Sequence, residues 1–201
     1  MTLLPKALLF GFLLAASVGP LWILCFRRTL AQGTLAGLAS GMGIALADGL
    51  YGAVAAFGLT AISGFLLRHA FWIGLAGGLF LVYLGVKALL ARPSLESGAE
   101  ERIGAVQAFL STFGLTLANP PTIVAFAAIF AGLGLVPSDY AAAAWVVLGV
   151  FAGSASWWIL LAASAGRLRG RIGPRLLRAI NVVSGLSILA FAAWQFAAIL
   201  R

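Results

Sequence analysis

Charged side chains are scarce in this chain. Only 9% of its 201 residues are Asp, Glu, Lys or Arg, against about 25% in an ordinary soluble domain. That excludes a surface facing water on all sides. Cys25 is the single cysteine, so there is no internal disulfide and no two-cysteine redox relay. His69 is the single histidine, so no multi-histidine metal site can form. The chain has no Gly-rich loop ending in Lys, so it does not itself hydrolyse ATP. His69 has no Gly-x-Ser-x-Gly element nearby. An intramembrane aspartyl protease needs two acids within its spans, and only one is present. No enzyme and no cofactor are therefore expected.

What is present is apolar length. Hydrophobic residues make up 63% of the chain, and the mean hydropathy is +1.10. A hydrocarbon core needs about 20 mostly apolar residues per helix. Six stretches qualify, near residues 4–26, 36–62, 70–91, 106–132, 140–164 and 177–200. They are long and continuous rather than alternating, which favours helices over strands. The 25 glycines suit close helix packing in lipid. The expected fold is an all-α integral membrane protein with about six transmembrane helices, forming one transporter domain over residues 1–201. Its halves are 1–92 and 105–201, joined by a polar link at 93–104. The start of the chain resembles a signal peptide, with Lys6 before an apolar run ending in Ala15-Ala16-Ser17. Five further spans follow, so the first span is expected to be retained.

The net charge of +8 suggests nucleic acid, but the placement of the basic residues argues against that partner. They lie between apolar runs, where Lys and Arg fix topology. Links one, three and five carry ten of the 13, including Arg27, Arg28, Arg102 and the arginines from Arg167 to Arg178. The other side carries three, Lys6, Arg68 and Arg201. The positive-inside rule then puts the odd links in the cytoplasm and both termini outside, in the inner (plasma) membrane. The expected surroundings are membrane lipid, with anionic headgroups near the arginine-rich link. A homodimer is left open.

The first span of each half is interrupted, by Gly19-Pro20 and by Asn119-Pro120-Pro121. Each half has three spans, so the halves enter from opposite sides. Broken helices at matching positions of inverted halves point to a transporter site near the midplane, and a 3+3 inverted repeat is expected. Proline removes a backbone donor and breaks or kinks the helix. The freed backbone groups could line a cavity, or the break could be a tolerated kink.

Asp48 is the one acidic residue well inside a span. An intramembrane carboxylate is costly, so it is expected to contact a cation or couple to protons. The plain alternative is a structural Asp hydrogen-bonded to Ser, Thr or backbone in a helix gap. Asn119 offers both donor and acceptor, which suits a zwitterion, although it could simply cap the break. The expected site is Ser17, Gly19, Pro20, Asp48, Asn119 and Pro120. Ser17, Asn119 and the backbone freed by Pro120 and Pro121 are the expected neighbours of Asp48. Trp157, Trp158, Thr112 and Thr116 are read as packing or interhelix bonds. No metal site is expected.

These residues resemble the LysE/RhtB family of amino-acid exporters over nearly the whole chain. The matching elements are Gly19-Pro20, Arg27-Arg28-Thr29-Leu30 with Gly33, and Gly37, Gly41 and Gly43 leading to Asp48. Tyr83-Leu84-Gly85 with Lys87 follow, then Asn119-Pro120 with Phe126. The family often has Pro-Gly-Pro in the first span, where this chain has Val18-Gly19-Pro20. That departure bears on substrate more than on fold. The resemblance implies secondary export of an amino acid or related small metabolite, driven by the proton motive force. An ion or metal exporter of related architecture is the alternative. Against it stand the single intramembrane acid and the lack of His or Cys clusters.

Overall fold

A computed structural model describes residues 3–57, 68–90, 103–119, 122, 126, 137, 139–169 and 173–199. Among these residues all regular structure is helical. The helices are α1 (Leu3–Ala16), α2 (Pro20–Gln32), α3 (Thr34–Ala56), α4 (Ala70–Leu90), α5 (Ala105–Leu117), α6 (Tyr140–Arg169) and α7 (Pro174–Ile199). α3, α6 and the stretch Arg175–Trp194 of α7 are each long and apolar enough to cross a membrane alone. α1 and α2 form a bent pair that can act as a fourth span. Gly74–Leu90 within α4 and Ala105–Leu117 are shorter apolar helices. At 1.5 Å per residue a 13-residue helix spans only ~20 Å, less than the ~30 Å hydrocarbon layer. Among the described residues three or four spans pass by length, and the two shorter apolar helices lie at the places of expected spans three and four.

Side chains sort as lipid requires. Leu13, Val18, Leu79, Val106 and Leu110 stay exposed on the outside. Ser40, Asp48, Thr112, Thr116, Ser154 and Asn181 are buried inside. Inside-facing polar groups can bond one another, which hydrocarbon cannot offer them.

The first span breaks where its sequence predicts. α1 ends at Ala16 and α2 begins at Pro20, turned by 74°. Pro20 occupies the first turn of α2, where its missing N–H removes no helical bond. Gly19 precedes it in extended conformation. In the fourth expected span α5 stops at Leu117, just before Asn119-Pro120-Pro121. Pro120 and Pro121 lie outside the described residues. One expectation fails here. Arg27 and Arg28 belong to the body of α2, which runs on to Gln32. The real connection is Gly33 alone, at φ +103, a conformation that L side chains rarely adopt. A Cβ there would also lie 2.8 Å from Arg169 Nη1. Likewise Arg167 and Arg169 end α6 rather than lying in link five. The residues at the centres of links three and five are not among those described.

The halves interlock. α1 packs on α6 of the second half, and α5 packs on α3 of the first, while α3 meets α6 and α4 meets α7. Glycine permits both exchanged contacts. A Cβ on Gly153 of α6 would overlap the Leu8 carbonyl of α1. A Cβ on Gly43 of α3 would overlap the Phe109 carbonyl of α5. This reciprocity is the packing that two inverted halves with exchanged first helices would make.

Arginines tie one end of the bundle together. Arg27 Nε donates to Asn181 Oδ1 of α7 at 2.9 Å. Arg28 Nη1 donates to Ser40 Oγ of α3 at 3.0 Å and to the Ala108 carbonyl of α5 at 3.1 Å. Arg169 Nη2 donates to the Ala31 carbonyl at 3.2 Å, and Arg178 Nη1 to the Leu89 carbonyl at 2.7 Å. The ends of α2, α4 and α6 thus meet the starts of α3, α5 and α7.

Candidate functional site

Between the two helix breaks lies a cavity of about 110 Å³. At ~30 Å³ per water it has room for three or four waters. The breaks create it, because a chain that leaves its helix at Ala16 and at Leu117 leaves space beside α3 and α6. Ser17, Gly19 and Pro20 line it from the first break, Thr116 and Asn119 from the second, and Asp48 from α3. Five of the six expected site residues therefore share one cavity wall. The sixth, Pro120, is outside the described residues.

Asp48 has the serine partner that the plain structural alternative expects, but the serine is not Ser17. The residue is 3% exposed. Its Oδ2 accepts a hydrogen bond from Ser154 Oγ of α6 at 2.7 Å, and Ser154 was not anticipated. The Ser17 hydroxyl is not its partner, because it donates to the Leu14 carbonyl at 2.7 Å and closes the last turn of α1. No hydrogen bond joins Asn119 to Asp48. The only sign of Ser154 in the sequence is its place in Gly153-Ser154-Ala155, a small-residue run where α6 packs closely against neighbours. An ionised carboxylate can accept about four hydrogen bonds. Ser154 satisfies one, leaving Asp48 the capacity to take a cationic donor from the cavity.

Two indoles complete the wall. Trp22 and Trp158 both line the cavity, and neither indole N–H has a hydrogen-bond partner. Buried donors are rarely left unpaired. Trp158 is held against Gly41, where any side chain would strike its Cβ. Sequence reasoning read Trp158 as packing, which it also does, in a cluster with Cys25, Ile44 and Ala45.

Beyond the cavity, away from the arginine-rich end, Phe10, Tyr51 and Phe126 form an aromatic cluster. Phe10 meets Phe126 edge-on at 5.3 Å, and Tyr51 lies 5.6 Å from Phe126. The Tyr51 hydroxyl donates to the Leu117 carbonyl at 2.8 Å, closing the exposed end of α5. Among the described residues no three of His, Cys, Asp and Glu converge on a point where a metal could bind.

The chain was compared with known proteins. The family described as LysE type translocator matches residues 12–197. The chain is 26% identical over 187 residues to "Putative amino acid efflux protein YcgF" of Bacillus subtilis (strain 168), covering 90% of this chain and 88% of that protein. No solved structure matches.

Proposed function

Because the chain belongs to the LysE type translocator family, a family of multi-pass membrane transporters, we propose that it exports an amino acid or related small metabolite across the inner membrane in exchange for protons. The observation that carries this reading is Asp48, a carboxylate in a small cavity between two helix breaks, with a single hydrogen bond among the described residues. The relative named for amino-acid efflux supports the substrate class.

The chemistry follows from charge. Ionised Asp48 can hold the ammonium group of an amino acid, which brings three donors to its vacant lone pairs. Asn119 and the two indole N–H groups offer donors to the carboxylate end. Protonation of Asp48 cancels the attraction and frees the ammonium. A proton entering from the outer side as the amino acid leaves would couple export to the proton motive force. The positive-inside rule sets the arginine-rich end in the cytoplasm and both termini outside.

The test uses purified protein in liposomes with an imposed pH gradient and a panel of amino acids. The parent should drive efflux of at least one. Asp48→Asn keeps shape and hydrogen bonding but fixes the charge at zero, so it should insert and fold yet lose gradient-driven efflux. Equal gradient-driven efflux by both proteins at matched amounts would end the coupling reading.

A further inference from the structure

We propose that Arg28 recognises the carboxylate of the exported molecule before it enters the cavity, on the arginine-rich side about one helical turn below the cavity lining. This inference rests on the amino-acid export reading above. Arg28 is 6% exposed and is the one buried cation among the described residues. Both of its hydrogen bonds leave from Nη1, and both acceptors are neutral, the Ser40 hydroxyl and the Ala108 carbonyl. Among the described residues no carboxylate pairs with it. A buried charge without a counter-charge is unfavourable, and guanidinium matches carboxylate with two parallel bonds. A carboxylate is thus a better acceptor for Arg28 than either partner it has here.

The position of Arg28 makes the encounter feasible. Ser40 lies one turn, ~6 Å, from Ile44 on α3, and Ile44 lines the cavity. On α5 the Thr112 hydroxyl donates to the Ser40 carbonyl at 2.7 Å. The Thr112 carbonyl accepts from the cavity-lining Thr116 at 2.8 Å. The Arg28 node therefore underlies the cavity on two helices at once. Its bonds join α2, α3 and α5, so a carboxylate that draws Arg28 away also loosens the closure of this end. Ser40 and Asp48 share a face of α3, eight residues and ~12 Å apart. An α-amino acid cannot bridge that distance. Arg28 thus meets the carboxylate first, and Asp48 takes the ammonium after the molecule has moved inward.

The experiment reads selectivity rather than amount. Each of the 20 proteinogenic L-amino acids, and its carboxamide, is followed by counterflow in liposomes holding parent, Arg28→Lys or Arg28→Gln protein. The amide keeps the ammonium and loses the negative charge. The parent should prefer acid to amide by tenfold or more. In Arg28→Gln, which removes the charge and shortens the side chain, the preference should collapse toward one, with Arg28→Lys between them. An acid-to-amide ratio unchanged in both variants, however slow they become, would assign Arg28 a structural role and overturn the proposal. If Arg28→Gln does not fold, Arg28→Lys decides: a severalfold loss of preference supports recognition, and an unchanged ratio overturns it. A parent that carries acids and amides alike overturns this inference while leaving export intact. A parent that carries no amino acid removes the export reading and this inference with it.

Discussion

Replacing Gly43 by alanine should destabilise the protein, while the same change at Gly114 should not. The two glycines lie on α3 and α5 and differ only in what surrounds them. A Cβ at Gly43 would overlap the Phe109 carbonyl and sit 2.6 Å from Thr112 Oγ1. The carbonyl belongs to helical backbone and cannot swing aside, so α3 and α5 must separate. Overpacking of this kind costs about 1–3 kcal/mol. Gly114 has nothing within 4 Å of the added atom, and alanine there gains up to about 1 kcal/mol of helix propensity. The propensity gain is common to both helical positions, so the two variants should differ by the overpacking cost alone, about 1–3 kcal/mol, with Gly43→Ala the less stable. Reversible unfolding in mixed micelles, with denaturing detergent as the titrant, measures this directly. Gly153→Ala should behave like Gly43→Ala, because its Cβ meets the Leu8 carbonyl. A Gly43→Ala protein as stable as Gly114→Ala would refute the close α3–α5 approach and the reciprocal packing inferred from it.

Ser154→Ala removes the hydrogen bond to Asp48 and should lower gradient-driven efflux well below its effect on thermal stability; unchanged efflux would separate Ser154 from the transport step. Tyr51→Phe deletes the bond to the Leu117 carbonyl and should cost about 0.5–1.5 kcal/mol, read in the same unfolding titration. In a Cys25→Ser background, a cysteine replacing Ser97 should resist an impermeant thiol reagent applied from outside, and labelling there would reverse the topology. With Asp48 as the coupling carboxylate, a reversal-potential measurement should give one proton per molecule exported, and a ratio of two would require a second acid.

The helix breaks were legible because proline and glycine act through local backbone geometry. Pro20 starts a helix wherever the chain runs, so the gap between Ala16 and Pro20 follows from sequence. Asp48 was legible because a carboxylate in an apolar run has few tolerable environments. The placement of Arg27 and Arg28 was not read correctly. Charge usually marks the end of a span, which points to a link at Arg27 and Arg28, yet α2 continues for a further turn to Gln32. Helical periodicity held a clue. Leu24, Cys25, Arg28 and Thr29 form the buried stripe of α2, at the i, i+4 spacing that lines one face. Ser154 was harder to find. Its partner is 106 residues away, and nothing local reveals which hydroxyl on α6 will face α3.

The frame and its chemistry obey different logics. The packing is reciprocal, with α1 on α6 answered by α5 on α3. At the α3–α6 crossing Gly41 and Gly49 of α3 lie against Trp158 and Phe151 of α6. Yet one side of the crossing brings Asp48 to the cavity and the other brings Trp158. A second carboxylate in place of Trp158 would put two like charges in a cavity of about 110 Å³, where they would disfavour joint ionisation. An indole there fills space and keeps a donor ready for an acceptor. The packing is shared between the two halves, while the lining of the cavity differs between them, with one carboxyl group from Asp48 and an indole from Trp158. That division suits a zwitterion, with an ammonium end and a carboxylate end to be told apart. It also explains why the cation for the carboxylate, Arg28, stands a turn below the cavity rather than within it. Inside the cavity the guanidinium would pair with Asp48 and fill the place the ammonium needs.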